Sequence, residues 1–210
     1  MLFGHSFVKR LFFHLRELAG PLHPGLFEQK CAELLKVQHH IKQVFLSGHS
    51  GDNTISPHVP HTVISKVKPS IIMIDLGSND IAQGRGGGEI AQRLVDLAHR
   101  LRATYGALII IMSVVPRDRG LGNMTPEQFR VCMGELEVRL RELVGTKGDQ
   151  GIMLVKQSGF YKTQVVGGCI DKPVSEWSVD GIHPAPPHGM DRYMSSVREA
   201  IFRGIKVLRQ

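Results

Sequence analysis

Cysteine is scarce in this chain. Three residues among 210, Cys31, Cys132 and Cys169, are odd in number and widely spaced. That pattern excludes a disulfide framework and fits a reducing compartment. Aromatic residues make up only 6% of the chain, and tryptophan occurs once, at Trp177. No apolar run approaches the roughly 20 residues that a membrane-spanning helix requires. The first residues hold no charged-then-apolar leader. The expected location is therefore cytoplasmic. Histidine is plentiful, at 11 residues, yet none is spaced His-x-x-x-His and no cysteine pair accompanies it. Neither a metal nor another cofactor is expected on that ground. Arg85-Gly86-Gly87-Gly88 lacks the Gly-Lys-Ser/Thr that a phosphate loop needs.

What is present is globular. Hydrophobic residues reach 42% and charged residues 21%, a balance that supports a buried core without covalent staples. With no linker and no repeat, residues 1–210 read as one domain. The formal net charge is +7. It allows contact with nucleic acid or an anionic membrane surface. It equally fits a soluble basic surface, because the lysines and arginines are spread along the chain.

Apolar runs alternate with amphipathic segments. Leu2-Phe3 reads as the end of a strand, and so abrupt a start predicts a chain trimmed from a longer protein. Val8, Leu11, Phe12, Leu15 and Leu18 have helical spacing, stopped by Gly20-Pro21. Val44-Phe45-Leu46 is a second strand that opens into the loop Ser47 to Thr54, and His58 to Lys68 reads as a helix. Ser70 to Leu76 and Ala107 to Val115 read as strands buried on both faces. A helix covers Glu89 to Tyr105, and another runs from Thr125-Pro126 to about Leu143. Ile152 to Val155 is a fifth strand, and a long connection, Ser158 to Val179, precedes a last helix from His188 to Leu208. This order predicts an α/β fold: a three-layer α/β/α sandwich on a parallel sheet.

In such sheets, functional groups collect beyond the C-terminal ends of the strands. Ser6, Gly51, Asn79 and the stretch Asp180-Gly181-Ile182-His183-Pro184 all follow strands or the last connection. A serine hydroxyl is a poor nucleophile until a neutral imidazole takes its proton and a carboxylate orients that imidazole. Ser6, His183 and Asp180 can fill those roles. The oxyanion of a tetrahedral intermediate needs preset donors. Candidates are the Ser6 and Gly51 backbone N–H groups and the Asn79 amide. Ser6 also fits a helix N-cap, Asp180 and His183 fit a turn, and Asn79 fits a loop that bonds itself. Asp80 reads as structural. Arg117, Asp118 and Arg119 read as a solvated turn. Trp177 fits either an acyl pocket or an anchor for the long connection.

Four blocks carry a resemblance: Gly4-His5-Ser6-Phe7, Gly48-His49-Ser50-Gly51-Asp52, Gly77-Ser78-Asn79-Asp80 and Asp180-Gly181-Ile182-His183-Pro184. In this order the chain resembles the SGNH hydrolases, or GDSL-type esterases and lipases. The resemblance implies a flavodoxin-like fold with five parallel strands. It implies metal-free hydrolysis of carboxylic esters through an acyl-serine, with a small acyl-ester or lipid substrate. It also favours Gly51 over Gly48 as the oxyanion glycine. One departure is His5, which stands where the family usually has Asp. The opening Gly4-His5-Ser6-Phe7-Val8 and the ending from Trp177 to Pro184 look most like the esterase domain in the first open-reading-frame protein of some LINE-type retrotransposons. A germ-plasm RNA-binding relative that has lost its serine offers the alternative: a catalytically weak module that binds RNA or lipid.

Overall fold

The structure, a computed structural model, describes residues 1–23, 25–119, 124–145, 151–160 and 173–210. Cys169, most of the 158–179 connection and part of the 116–124 loop lie outside the described residues. Five strands form one parallel sheet: β1 Leu2–Gly4, β2 Leu46–Gly48, β3 Ile71–Asp75, β4 Leu108–Met112 and β5 Ile152–Val155. Their order is β2-β1-β3-β4-β5, the flavodoxin-like arrangement. Among the described residues, the helices that connect or follow them are α1 Ser6–Ala19, α2 Phe27–Leu34, α3 His61–Val67, α4 Ser78–Ala82, α5 Gly87–Tyr105, α6 Pro126–Val144 and α7 His188–Leu208. Helices α1 and α7 touch each other, and α5 packs on α6. Every residue of β3 and β4 is buried, as expected for strands covered on both faces.

Register aligns the functional edge. Gly4 of β1 lies opposite Gly48 of β2 and Asp75 of β3, so three strands end level. Two of those residues permit a close approach. A Cβ on Gly4 would stand 2.1 Å from the Asp75 carbonyl oxygen, and one on Gly48 would stand 2.1 Å from the Lys9 backbone nitrogen. Helix α1 therefore lies directly on β2, with Phe7, Val8, Leu11 and Leu15 buried beneath it. Helix α6 starts as its sequence dictates. Gln128 N–H donates to Thr125 Oγ1 at 3.2 Å, and Thr125 N–H donates to Gln128 Oε1 at 2.8 Å.

Some boundaries differ from the sequence reading. Strand β2 sits two residues later than Val44–Leu46 at both ends, and α3 begins at His61 because Pro60 precedes it. Residues 78–82, to which the sequence pattern assigns no helix, form the short helix α4 after Gly77 takes a left-handed conformation.

Candidate active site

Ser6 is the first residue of α1, one position past the cap. His5 is the N-cap, not Ser6, and its Nδ1 accepts the Phe7 N–H at 3.3 Å. That bond leaves the proton of a neutral ring on Nε2, which lies 3.4 Å from Asp75 Oδ1. The Tyr193 hydroxyl donates to the other Asp75 oxygen. All three side chains are buried. Burial, and then the Asp75 charge, push the Tyr193 phenol well above its ordinary range. The carboxylate missing before the serine is thus supplied from β3, and the His5 ring spans the gap to α1.

The second part is the turn from Ser178 to His183. Asp180 Oδ1 accepts three hydrogen bonds: from Ile182 N–H at 2.9 Å, from His183 N–H at 2.7 Å and from the Ser178 hydroxyl at 3.1 Å. Gly181 makes the turn with φ +74. Asp180 Oδ2 lies 2.7 Å from His183 Nδ1, and His183 Nε2 lies 3.0 Å from Ser6 Oγ. The Phe7 ring meets the His183 ring edge-on at 5.7 Å.

Charge in this chain of groups is set by their surroundings. Burial alone would raise the Asp180 carboxyl. The His183 backbone N–H, the His183 ring and the Ile182 N–H outweigh it and hold the carboxyl well below the usual range. For His183, burial lowers the pKa, Asp180 opposes, and the Arg10 and Arg117 charges lower it further; the net direction is down. The imidazole is therefore neutral near neutral pH, as a general base must be.

Arg117 corrects the sequence reading of a solvated turn. Its side chain is 1% exposed. The guanidinium carbon lies 5.9 Å from the Phe7 ring centre and 5.4 Å from that of Phe129. Among the described residues, Nε and Nη1 have no hydrogen-bond partner. Burial pulls its pKa down to about 10 against the pull of Asp75 and Asp180. The neighbouring Asp118 N–H donates to the Gly181 carbonyl at 3.1 Å, so this loop also braces the 180–183 turn. An arginine next to a strand-ending proline gave no signal of burial. Trp177 is buried against Phe160, with ring centres 4.9 Å apart, so it anchors the connection.

The third part faces Ser6 from β2 and β3. Asn79 Nδ2 donates to the Asp52 carbonyl at 2.8 Å. Asp80 is structural, as expected: its carboxylate accepts the Thr54 N–H at 2.9 Å, the Thr54 hydroxyl at 2.7 Å and Arg85 Nη1 at 3.1 Å. His58 Nδ1 lies 2.5 Å from Asp52 Oδ1 and stacks on His49 at 4.5 Å. The loop after β2 is thereby tied down, with Gly51 at φ +85. Gly51, Asn79, Ser6 and His183 all line one cavity of about 370 Å³. Gly48 packs against the backbone of α1 instead. A cavity of similar size, about 390 Å³, is lined by Met1, Phe45 and Ile71 and holds none of these groups. Among the described residues, no three His, Cys, Asp or Glu side chains stand close enough to hold a metal ion. Burial pushes the Cys31 thiol up to about 12, which leaves it unreactive.

Known structures share this architecture. A carbohydrate esterase family 3 protein from Talaromyces cellulolyticus superposes with a TM-score of 0.61 at 16% identity, covering 98% of this chain and 97% of that one. A GDSL-like lipase from Bacteroides thetaiotaomicron gives 0.59 at 14% identity, with 96% and 86% covered. A member of the lipolytic protein G-D-S-L family from Veillonella parvula gives 0.56 at 16% identity, with 96% and 97% covered. These identities speak for the fold alone. No curated protein matches the chain in sequence. The model of the GDSL-like lipase/acylhydrolase family matches residues 3–187, a span that runs from within β1 past His183, and the chain belongs to that family.

Proposed function

We propose that this chain is a serine esterase that hydrolyses carboxylic esters through an acyl-Ser6 intermediate. The observation that carries the reading is the continuous contact from Ser6 Oγ to His183 Nε2 at 3.0 Å and from His183 Nδ1 to Asp180 Oδ2 at 2.7 Å. Ser6 Oγ attacks the ester carbonyl carbon while its proton passes to His183 Nε2. Asp180 accepts the Nδ1–H bond and stabilises the imidazolium. The Ser6 and Gly51 N–H groups and the second Asn79 amide hydrogen receive the oxyanion, the first being held by the Asp52 carbonyl. Collapse breaks the C–O bond, and His183 protonates the departing alcohol. Water then attacks the acyl carbon, gives its proton to His183, and the acid leaves as that proton returns to Ser6 Oγ.

Family membership supports ester hydrolysis at the coarse level. The finer likeness to the esterase domain of LINE-type retrotransposon proteins rests on the residues around Ser6 and on Trp177 to Pro184. It fits a single cytoplasmic esterase domain over residues 1–210. The charge of +7 favours a second reading, in which the same domain binds RNA or a lipid surface. Turnover of p-nitrophenyl acetate and longer acyl homologues by the wild type and by Ser6→Ala separates the two. The esterase reading expects turnover that the variant loses. Equal rates from both proteins would refute it. Salt-dependent RNA binding without any ester turnover would favour the second reading.

A further inference from the structure

The cavity over Ser6 carries charge that acyl transfer does not require. Ser6, Lys9, Arg10 and Phe13 follow the spacing i, i+3, i+4, i+7, which is one face of α1. All four line the cavity, and no carboxylate is among the described residues that line it. Lys9 and Arg10 are exposed. Lys9 Nζ lies 3.4 Å from Ser50 Oγ, and Arg10 Nη2 lies 3.4 Å from Asp180 Oδ2, both at the long end of hydrogen bonding. Asp180 is already committed to His183 at 2.7 Å. Two cations thus stand about one helical turn, roughly 5 Å of rise, from the nucleophile with weak partners.

We propose that Lys9 and Arg10 form a specificity subsite, and that the substrate is a carboxylic ester whose alcohol portion carries a phosphate or carboxylate close to the scissile bond. The inference rests on the esterase reading above. The side is set by His183, which protonates the leaving oxygen. The alcohol therefore departs past His183, where Arg10 also stands, and Lys9 projects from the adjacent position on the same face. An anion there replaces the long contacts with short charge-assisted ones. It also offsets the Arg10 charge that lowers the His183 pKa. Phe13, 58% exposed one turn further along, borders the subsite with an apolar edge.

The test compares 2-acetoxyethyl phosphate with the neutral 2-methoxyethyl acetate, following acetate release at low salt. The subsite predicts a kcat/KM ratio of about threefold to tenfold in favour of the phosphate, as expected for charge-assisted contacts from two exposed cations. Lys9→Ala and Arg10→Ala each lower that ratio, Lys9→Glu brings it to about one, and Lys66→Ala, exposed on α3, preserves it. Phosphatidylglycerol vesicles, set against emulsified diacylglycerol as the neutral partner, identify the source of the anion. Discrimination on vesicles alone supports the subsite and assigns the anion to a lipid headgroup. Turnover of p-nitrophenyl acetate with no discrimination in either pair overturns the subsite alone. No turnover of any ester overturns the esterase reading and the subsite with it.

Discussion

Ser6 Oγ and His183 Nε2 sit 3.0 Å apart although 177 positions separate them in the chain. The parallel sheet brings them together. Strand β1 delivers Ser6 to the edge where β2 and β3 also end, and α7, packed on α1, sets the 180–183 turn over that edge.

Activity should persist into mild acid. His183 must be neutral to accept the Ser6 proton, and its pKa is shifted down, first by burial. The neutral form therefore survives below the ordinary histidine value of about 6.5. The acid limb of kcat/KM on a neutral ester is expected to have its midpoint below that value. Arg10→Ala removes a charge that opposes protonation, so it should move the midpoint up. A midpoint above 6.5 in the wild type would contradict the assignment.

Asp180→Asn should separate chemistry from folding. An amide oxygen can still accept the Ile182 and His183 N–H bonds that shape the turn. Its NH2 would face His183 Nδ1 and favour the wrong tautomer. A fall in kcat of about 10²–10⁴-fold is expected. Circular dichroism melting should change little.

The two glycines after β2 should behave differently. Alanine at 48 drives a Cβ to 2.1 Å from the Lys9 backbone nitrogen, which cannot swing away. Gly48→Ala should cost about 1–3 kcal/mol or more in urea unfolding. At Gly51 nothing lies within 4 Å of an added Cβ, and the penalty is only that of φ +85. Gly51→Ala should keep most stability, at a cost of about 1–2 kcal/mol, and lower kcat more than it raises KM.

Tyr193→Phe should destabilise by about 1–3 kcal/mol, because a buried Asp75 oxygen loses its donor. Combined with His5→Ala, the effect should be non-additive, since both side chains bond the same carboxylate. Additive losses would mean that the two contacts act independently.

Much of this was legible in the sequence because strongly periodic elements dominate. Ile152–Val155 and His188–Leu208 form where their patterns predict, and β3 and β4 read as continuous apolar runs. The residues Ser6, Asp180 and His183 were legible as types at suggestive positions, and the fold brings them into contact. Gly51 and Asn79, chosen from their blocks, line the same cavity as Ser6. What stayed hidden depends on tertiary placement. Arg117 carries the composition of a surface turn, yet it is sealed between two phenyl rings. His5 showed only a missing carboxylate, because its partner Asp75 lies 70 positions away on a neighbouring strand. Helix α4 was too short for periodicity to reveal.

The most direct measurement is the site of the covalent intermediate. The protein is mixed with p-nitrophenyl acetate, quenched in acid within the first turnover, digested and mapped by mass spectrometry. One acetyl group is expected, on Ser6, and none in His183→Ala quenched at the same time. Hydrolysis with Ser6 unmodified, or with the acetyl group on another residue, would contradict it.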